Sequence, residues 1–261
     1  MRHRARKRFG QNFLHDPAVI ARIGDAIAPT GDDIIVEIGP GQAALTDPLS
    51  GSGAQLHIIE IDRDLAERLR GRFAGAENVT VHEGDALSMD FGRITGGRRF
   101  RLVGNLPYNI STPLLFHVLD WSECIVDMHF MLQKEVVDRM AAVPGSKAWS
   151  RLSLMCQYHC SVTPLFDVPS EAFDPAPKVV SSIVRLVPHP EPPVDIPDMK
   201  AFQELVARAF SQRRKTLRNS LRGLVDPDRM EAEGIDPGAR PETLTLEQFA
   251  KLSSIDPCPF T

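Results

Sequence analysis

Ile34-Ile35-Val36-Glu37-Ile38-Gly39-Pro40-Gly41-Gln42-Ala43-Ala44 is an apolar strand pattern that opens into a glycine turn and then into a helix. Glycine suits a tight turn whose backbone must approach a ligand closely, and the helix behind it presents unpaired N–H groups. Gly39-x-Gly41-x-x-Ala44, with Glu60 placed 21 residues after Gly39 at the end of a second strand pattern, fits the fingerprint of an open α/β sheet that holds an adenosine. On this spacing alone, a nicotinamide cofactor and S-adenosylmethionine fit alike.

Outward from that stretch, strand and helix patterns alternate, which predicts a doubly wound, mostly parallel sheet. Strands are expected at 33–39, 56–62, 79–84, 100–104, 125–132, 155–162 and 179–187. Helices are expected at 18–28, 43–49, 64–73 and 112–119, the first with Asp16 as N-cap and Pro17 at its first position. No long helix separates the last two strands, so an antiparallel hairpin should close one edge of the sheet.

A proline-rich stretch, Val187-Pro188-His189-Pro190-Glu191-Pro192-Pro193 with Pro197, then marks a domain boundary. Beyond it, Phe202, Leu205, Val206, Ala209 and Phe210 recur at helical spacing, and Leu217, Leu221 and Leu224 resume the stripe. Gly223 and Gly234 suit helix ends, and Thr245 with Gln248 forms a candidate capping box. The expected organisation is a catalytic domain over 1–188, a linker over 189–198 and a small all-helical domain over 199–261.

The 261 residues are 43% hydrophobic and 25% charged, the composition of an ordinary globular protein. No apolar run reaches the ~18 residues of a membrane span, and the basic start lacks the apolar stretch of a secretory signal, so a cytoplasmic protein is expected. Cys124, Cys156, Cys160 and Cys258 show no metal-ligand spacing, and no metal is expected. The net charge of −4 hides two basic clusters. Arg2, Arg4, Arg6, Lys7 and Arg8 form one; Arg208, Arg213, Arg214, Lys215, Arg218 and Arg222 form the other, in a span from Leu205 to Leu224 without any acid. Clusters of one sign point to a polyanion such as RNA, with Arg4, Arg6, Lys7, Arg8, Arg213, Arg214, Lys215 and Arg218 as candidate phosphate contacts.

Acids at three successive strand ends separate the two cofactors. Glu37 lies two residues before Gly39, where a carboxylate opposes a pyrophosphate but suits the cationic amino-acid end of S-adenosylmethionine, which carries a sulfonium and an ammonium. Glu60 can accept both ribose hydroxyls, and the Asp85 of Gly84-Asp85-Ala86 can accept from an adenine amino group. Each alone could be a turn or cap residue; their alignment along the carboxyl edge of the sheet favours a ligand.

The fourth strand runs into Asn105-Leu106-Pro107-Tyr108. An exocyclic amine on a nucleobase is a poor nucleophile because its lone pair is delocalised into the ring. A methylating site therefore needs acceptors that draw the amino hydrogens out of plane, and Asn105 Oδ1 with the carbonyl of Leu106 or Pro107 can supply them. Tyr108 offers a flat face for a base taken out of its stack, a contact worth ~1–3 kcal/mol. The bland reading is a strand-ending turn with a packed tyrosine.

Six stretches taken in order resemble the ribosomal RNA adenine N6,N6-dimethyltransferase family: Phe9-Gly10-Gln11-Asn12-Phe13-Leu14, Glu37-Ile38-Gly39-Pro40-Gly41, Asn105-Leu106-Pro107-Tyr108-Asn109-Ile110-Ser111, Phe130-Met131-Leu132-Gln133-Lys134-Glu135-Val136, Phe173-Asp174-Pro175-Ala176-Pro177-Lys178-Val179 and Gln212-Arg213-Arg214-Lys215-Thr216-Leu217-Arg218-Asn219. The last and the fourth favour the bacterial small-subunit (16S) branch. The resemblance implies a Rossmann-like class I methyltransferase in which Asn12 and Leu14 close over S-adenosylmethionine together with Glu37, Gly39, Gly41, Glu60 and Asp85. It also implies that Asn105 borders both cofactor and amine, and that Tyr108 and Phe173 sandwich a flipped adenine. Phe173 has no such reading from its own surroundings, since Phe-x-Pro-x-Pro equally describes a rigid turn. The implied reaction places two methyl groups on N6 of each of two adjacent adenosines in the 3′-terminal hairpin loop of 16S rRNA, within an immature 30S subunit, by a protein that is a monomer in solution. Competing readings are a large-subunit enzyme of the macrolide-resistance type, an assembly checkpoint whose binding outweighs catalysis, and a nicotinamide oxidoreductase. The last leaves Asn105 to Tyr108 and the basic clusters without a purpose.

Overall fold

The computed structural model describes residues 11–108, 110–212 and 214–255. Arg4, Arg6, Lys7, Arg8, Asn109, Arg213 and Cys258 lie outside the described residues. In chain order the elements are β1 (Phe13–Leu14), α1 (Pro17–Ile27), β2 (Ile34–Ile38), α2 (Thr46–Ser50), β3 (Gln55–Glu60), α3 (Arg63–Arg72), β4 (Val79–Glu83), α4 (Phe91–Thr95), β5 (Phe100–Asn105) and α5 (Ser111–Leu119). There follow β6 (Ile125–Gln133), α6 (Lys134–Met140), α7 (Arg151–His159), β7 (Cys160–Val168), β8 (Phe173–Asp174), β9 (Ser181–Pro188), α8 (Met199–Ser211), α9 (Leu217–Ser220), α10 (Pro227–Ala232) and α11 (Leu246–Ser253).

The chain divides into two compact units. The first takes the described residues up to Val137 together with Cys160–Pro188, and the second takes Asp138–His159 with those from His189 onward. The expected division at residue 188 is thus one of three crossings, and residues 138–159, assigned to the first domain on sequence, group with the helical unit.

In the first unit, seven strands form one sheet in the order β4-β3-β2-β5-β6-β9-β7. The first five are parallel, and β9 runs antiparallel to both β6 and β7, the mixed edge that the missing crossover helix predicts. β2 is buried at every position, as a strand covered on both faces must be. One covering layer joins Ile23 and Ile27 of α1, Leu49 of α2 and Leu69 of α3 to Ile35, Leu56 and Ile58 of the sheet. On the other face Phe91 stacks on Phe100 and meets Trp121 edge-on. The outer strand β7 carries Pro164 next to a register irregularity, a placement that costs little on an edge strand.

α1 begins as its sequence dictates: Asp16 Oδ1 accepts from the N–H groups of Ala18 and Val19, and Pro17 opens the helix. Between Phe100 and Leu102 the β5–β6 register slips by one residue, which leaves Val126 exposed and turns Asp127 inward. There Arg101 uses every donor it has. Nε and Nη2 bind the two Asp127 oxygens at 2.8 and 2.9 Å, Nη1 binds Asp33 at 3.1 Å, and the remaining donors reach the Ile27 and Ala28 carbonyls that end α1.

Residues 155–162 depart from the strand expected there, since Met155 to His159 belong to α7 and only Cys160 onward is extended. α7 buries Leu152, Ser153, Leu154, Met155, Cys156 and Tyr158, so no polar stripe betrays its helical period.

The second unit packs the stripe Phe202, Leu205, Val206 and Ala209 of α8, with Phe210 stacked on Phe249 of α11. Trp149 is buried there and donates from Nε1 to the Leu244 carbonyl at 3.0 Å. The Thr245–Gln248 capping box opens α11. Arg208 is taken up structurally, donating to the carbonyls of Ser220 and Arg222, while Arg214, Lys215 and Arg218 are exposed. No helix among the described residues is long and apolar enough to cross a membrane, and no group of three or more metal-ligating side chains occurs among them.

Candidate active site

The carboxyl ends of β2, β3, β4 and β5 surround one cavity of about 310 Å³. After β2 the backbone turns through Gly39 at φ 68° and Gly41 at φ 56°, values that side chains rarely adopt. A Cβ on Gly41 would meet the Phe13 ring at 3.1 Å, so the turn is tight as well as left-handed. Gly104 allows a second close approach, because a Cβ there would stand 2.6 Å from the Ile38 carbonyl. The turn is anchored by Gly39 N–H to the Ile59 carbonyl at 3.0 Å.

Glu60 closes β3 with its carboxylate held by backbone donors: Gly41 N–H at 3.3 Å on Oε2 and Asp62 N–H at 2.9 Å on Oε1. Burial pushes its carboxyl above the ordinary range, and these two donors oppose the shift. Asp85 caps the short 3₁₀ turn Ala86–Ser88, accepting from Leu87 N–H at 3.0 Å. Both acids line the cavity, as do Gly39, Gly41 and Asn12. No basic residue does so among those described; the remaining walls include Ile38, Ile59, Ile61, Leu106 and Ile110. A cavity charged only by carboxylates repels a phosphate and favours a cation.

Asn105, Leu106, Pro107 and Tyr108 form the other wall. Asn105 donates from Nδ2 to the Asn12 carbonyl at 3.1 Å. A carbonyl can only accept, so this bond fixes the amide with its nitrogen toward Asn12, and Oδ1 accepts no hydrogen bond among the described residues. The Leu106 N–H is held by the Met131 carbonyl, and the Pro107 carbonyl already accepts from Ile110 N–H at 3.1 Å. Of the two backbone acceptors expected here, Leu106 is therefore the less engaged. Tyr108 Oη lies 2.6 Å from Ser181 Oγ, and burial raises the phenol's pKa against that bond.

Three expected residues stand elsewhere. Glu37 is 2% exposed and does not line the cavity; its Oε2 accepts from Thr46 Oγ1 at 2.7 Å. Leu14 and Phe173 pair across the two-stranded β1–β8 ribbon and pack into the hydrophobic core, Phe173 with 3% exposure. The Phe173 ring is thus a core side chain and faces no base site as it stands. Residues that sequence reading passed over include Gln11, which binds Asp62 at 3.3 Å, Ile61, an exposed apolar residue just past Glu60, and Ser181. Ile61 could have been suspected from its place after an acid at a strand end; Ser181 carries no local signal.

Glu37 makes a pH test possible. Burial, with Glu60 and Asp47 nearby, raises its carboxyl from 4.5 to about 8 against the Thr46 hydrogen bond. An unfolded glutamate ionises near 4.5 while the folded one keeps its proton, so native stability drains away as pH climbs from there through about 8. Glu37→Gln should therefore gain in melting temperature over the parent as pH rises from 5 to 8, measured by calorimetry without ligand. A difference that stays constant over that range would show that Glu37 is ionised throughout.

A doubly wound sheet with an antiparallel edge, and an acid-lined cavity at its switch point flanked by Asn-Leu-Pro-Tyr, define a Rossmann-like class I methyltransferase. Residues 2–255 match the family model for ribosomal RNA adenine dimethylase, and the chain belongs to that family. It is 54% identical over 257 residues to the ribosomal RNA small subunit methyltransferase A of Chromohalobacter salexigens, which covers 97% of this chain and 91% of the relative. The protein of the same name from Acinetobacter baylyi is 56% identical over 252 residues, covering 96% and 92%. Among solved structures, a dimethyladenosine transferase from Plasmodium falciparum superposes with TM-score 0.78 at 27% identity, covering 92% of this chain and 95% of that one. The 23S rRNA methyltransferase ErmE does so with TM-score 0.72 at 28% identity, covering 93% and 98%.

Proposed function

We propose that the cavity binds S-adenosylmethionine and that the protein dimethylates N6 of two adjacent adenosines in the 3′-terminal hairpin loop of 16S rRNA, acting as a monomer on the immature 30S subunit. The observation that carries the reading is a cavity whose only charged walls, among the described residues, are Glu60 and Asp85, next to an Asn105 Oδ1 left without a donor. The residues fit the cofactor: the tight Gly39–Gly41 turn admits its backbone-hugging tail, Glu60 and Asp85 suit its ribose hydroxyls and adenine amino group, the isoleucines suit the adenine face, and the negative walls favour a cationic cofactor over one with a pyrophosphate. Relatives named for the small subunit favour that rRNA over the large-subunit alternative.

When bound, S-adenosylmethionine supplies an activated methyl group, whose C–S bond breaks as N6 forms the new N–C bond and one amine proton passes to solvent. The chain's part is to shape the amine. Asn105 Oδ1 and the Leu106 carbonyl accept its hydrogens and draw the lone pair out of the ring. Tyr108 supports the base on its face, while Glu60 and Asp85 hold the nucleoside by its ribose and adenine edges. Exposed Arg214, Lys215 and Arg218 would neutralise RNA phosphates, joined by Arg4, Arg6, Lys7, Arg8 and Arg213.

Transfer of labelled methyl groups to 30S particles from an undermethylated strain, followed by mapping, tests this directly. Label in dimethyladenosine at two adjacent 3′-terminal positions is expected. Label confined to large-subunit RNA, or absent from adenine N6, would overturn the reading.

A further inference from the structure

We propose that Ser181 is a positioning residue which pins the Tyr108 ring and thereby carries the reaction on to its second methyl group. The inference rests on the function proposed above. Ser181 opens β9 and is 0% exposed, and Tyr108 Oη, 2.6 Å from its Oγ, is its one side-chain partner among the described residues. Its backbone forms the end pair of two antiparallel ladders, opposite Gln133 of β6 on one side and Val168 of β7 on the other, and the preceding carbonyl of Val180 is held by Lys134 N–H at 2.9 Å. The serine is therefore a fixed post. Tyrosine has two side-chain torsions, and a ring tethered at both Cα and Oη presents one face in one orientation. The hydroxyl is spent on the protein, so the ring face is what Tyr108 offers to the cavity it lines.

The two methyl transfers make unequal use of that face. An unmodified amine has two hydrogens and can be oriented by Asn105 Oδ1 and a backbone carbonyl together. A monomethylated amine has one hydrogen left, so one acceptor falls idle and the base must be held more by its stack. In each step one N–H is exchanged for one N–CH3: the methyl leaves sulfur, the new bond forms at nitrogen, and a proton goes to solvent. A Tyr108 ring free to swing should therefore slow the second step more than the first.

The test uses the full-length chain, S-adenosylmethionine and undermethylated 30S particles, with monomethyl and dimethyl adenosine quantified over time. Ser181→Ala and Tyr108→Phe remove the same bond from opposite ends. Each should slow the second transfer about five- to tenfold relative to the first, so that monomethyladenosine accumulates. The double variant should be no worse than either single one, because a shared bond is lost only once. Ser181→Thr, which keeps a hydroxyl, should restore the parental ratio; if the added methyl disturbs folding, Tyr108→Phe carries the test alone, since it adds no atom. Unchanged product ratios in both variants, or losses that add in the double variant, would overturn the role of Ser181. Failure of the parent protein to dimethylate adenine would instead overturn the function itself.

Discussion

Replacing Asn105 with alanine should lower the rate of methyl transfer about 10²–10³-fold while changing cofactor affinity by less than about tenfold. The rate falls because Oδ1 is the acceptor placed for the reacting amine, and its contribution grows as the lone pair localises. Affinity falls less because Glu60, Asp85 and the glycine turn remain in place. Some loss is expected from the bond to the Asn12 carbonyl, which ties the Gln11–Phe13 segment to the cavity wall. Single-turnover transfer and calorimetric titration of the cofactor separate the two effects. A variant that transfers methyl groups at the parental rate would remove Asn105 from the chemistry, and one that no longer binds cofactor would make it a binding residue only.

The second large effect concerns stability. Arg101→Met should destabilise the protein by roughly 3–5 kcal/mol, because Asp127 is left buried with its carboxylate supported chiefly by Arg185 at 3.4 Å. The carbonyls at the C-terminal end of α1 lose their donors in the same stroke. Adding Asp127→Leu should recover most of the loss, since an apolar pair of similar volume often serves as well as a buried ion pair. Denaturant unfolding of the parent, the single and the double variant measures both numbers. If the single variant falls within about 0.5 kcal/mol of the parent, the cluster has no structural weight. Arg101 lies four residues before Asn105 on the same strand, roughly 13 Å away at strand rise, so the folded fraction should retain its activity.

Sequence reading reached those parts of the molecule where a local pattern and a chemical reason coincide. β2, β3 and β5 are short, mostly apolar and almost wholly buried, so their existence and their ligand-bearing ends follow from pattern alone, while β4 is only half-buried and is marked by the Gly84-Asp85 turn behind it. For the same reason Glu60, Asp85 and Asn105 to Tyr108 could be expected around one opening, which is where they lie. Glu37 shows the limit: in a strand buried on both faces, alternation does not say which way a side chain points, and this one points at Thr46. α7 escaped because a helix buried nearly all round has no stripe. Phe173, Ser181 and the Arg101–Asp127 pair depend on contacts between residues 26 to 159 positions apart, set by register and by a strand irregularity that no local composition announces.

The antiparallel β9 also has a consequence for how the chain is made. β6 is complete at Gln133, yet the strand that covers its open edge begins only at Ser181, 48 residues later. At synthesis rates of about 5–20 residues per second, the unpaired edge of a mostly apolar strand waits roughly 2–10 s on the nascent chain for its partner. In that interval it is open to pairing with any other extended chain, so the newborn protein should depend on chaperone capacity most acutely while residues 134–180 are being added.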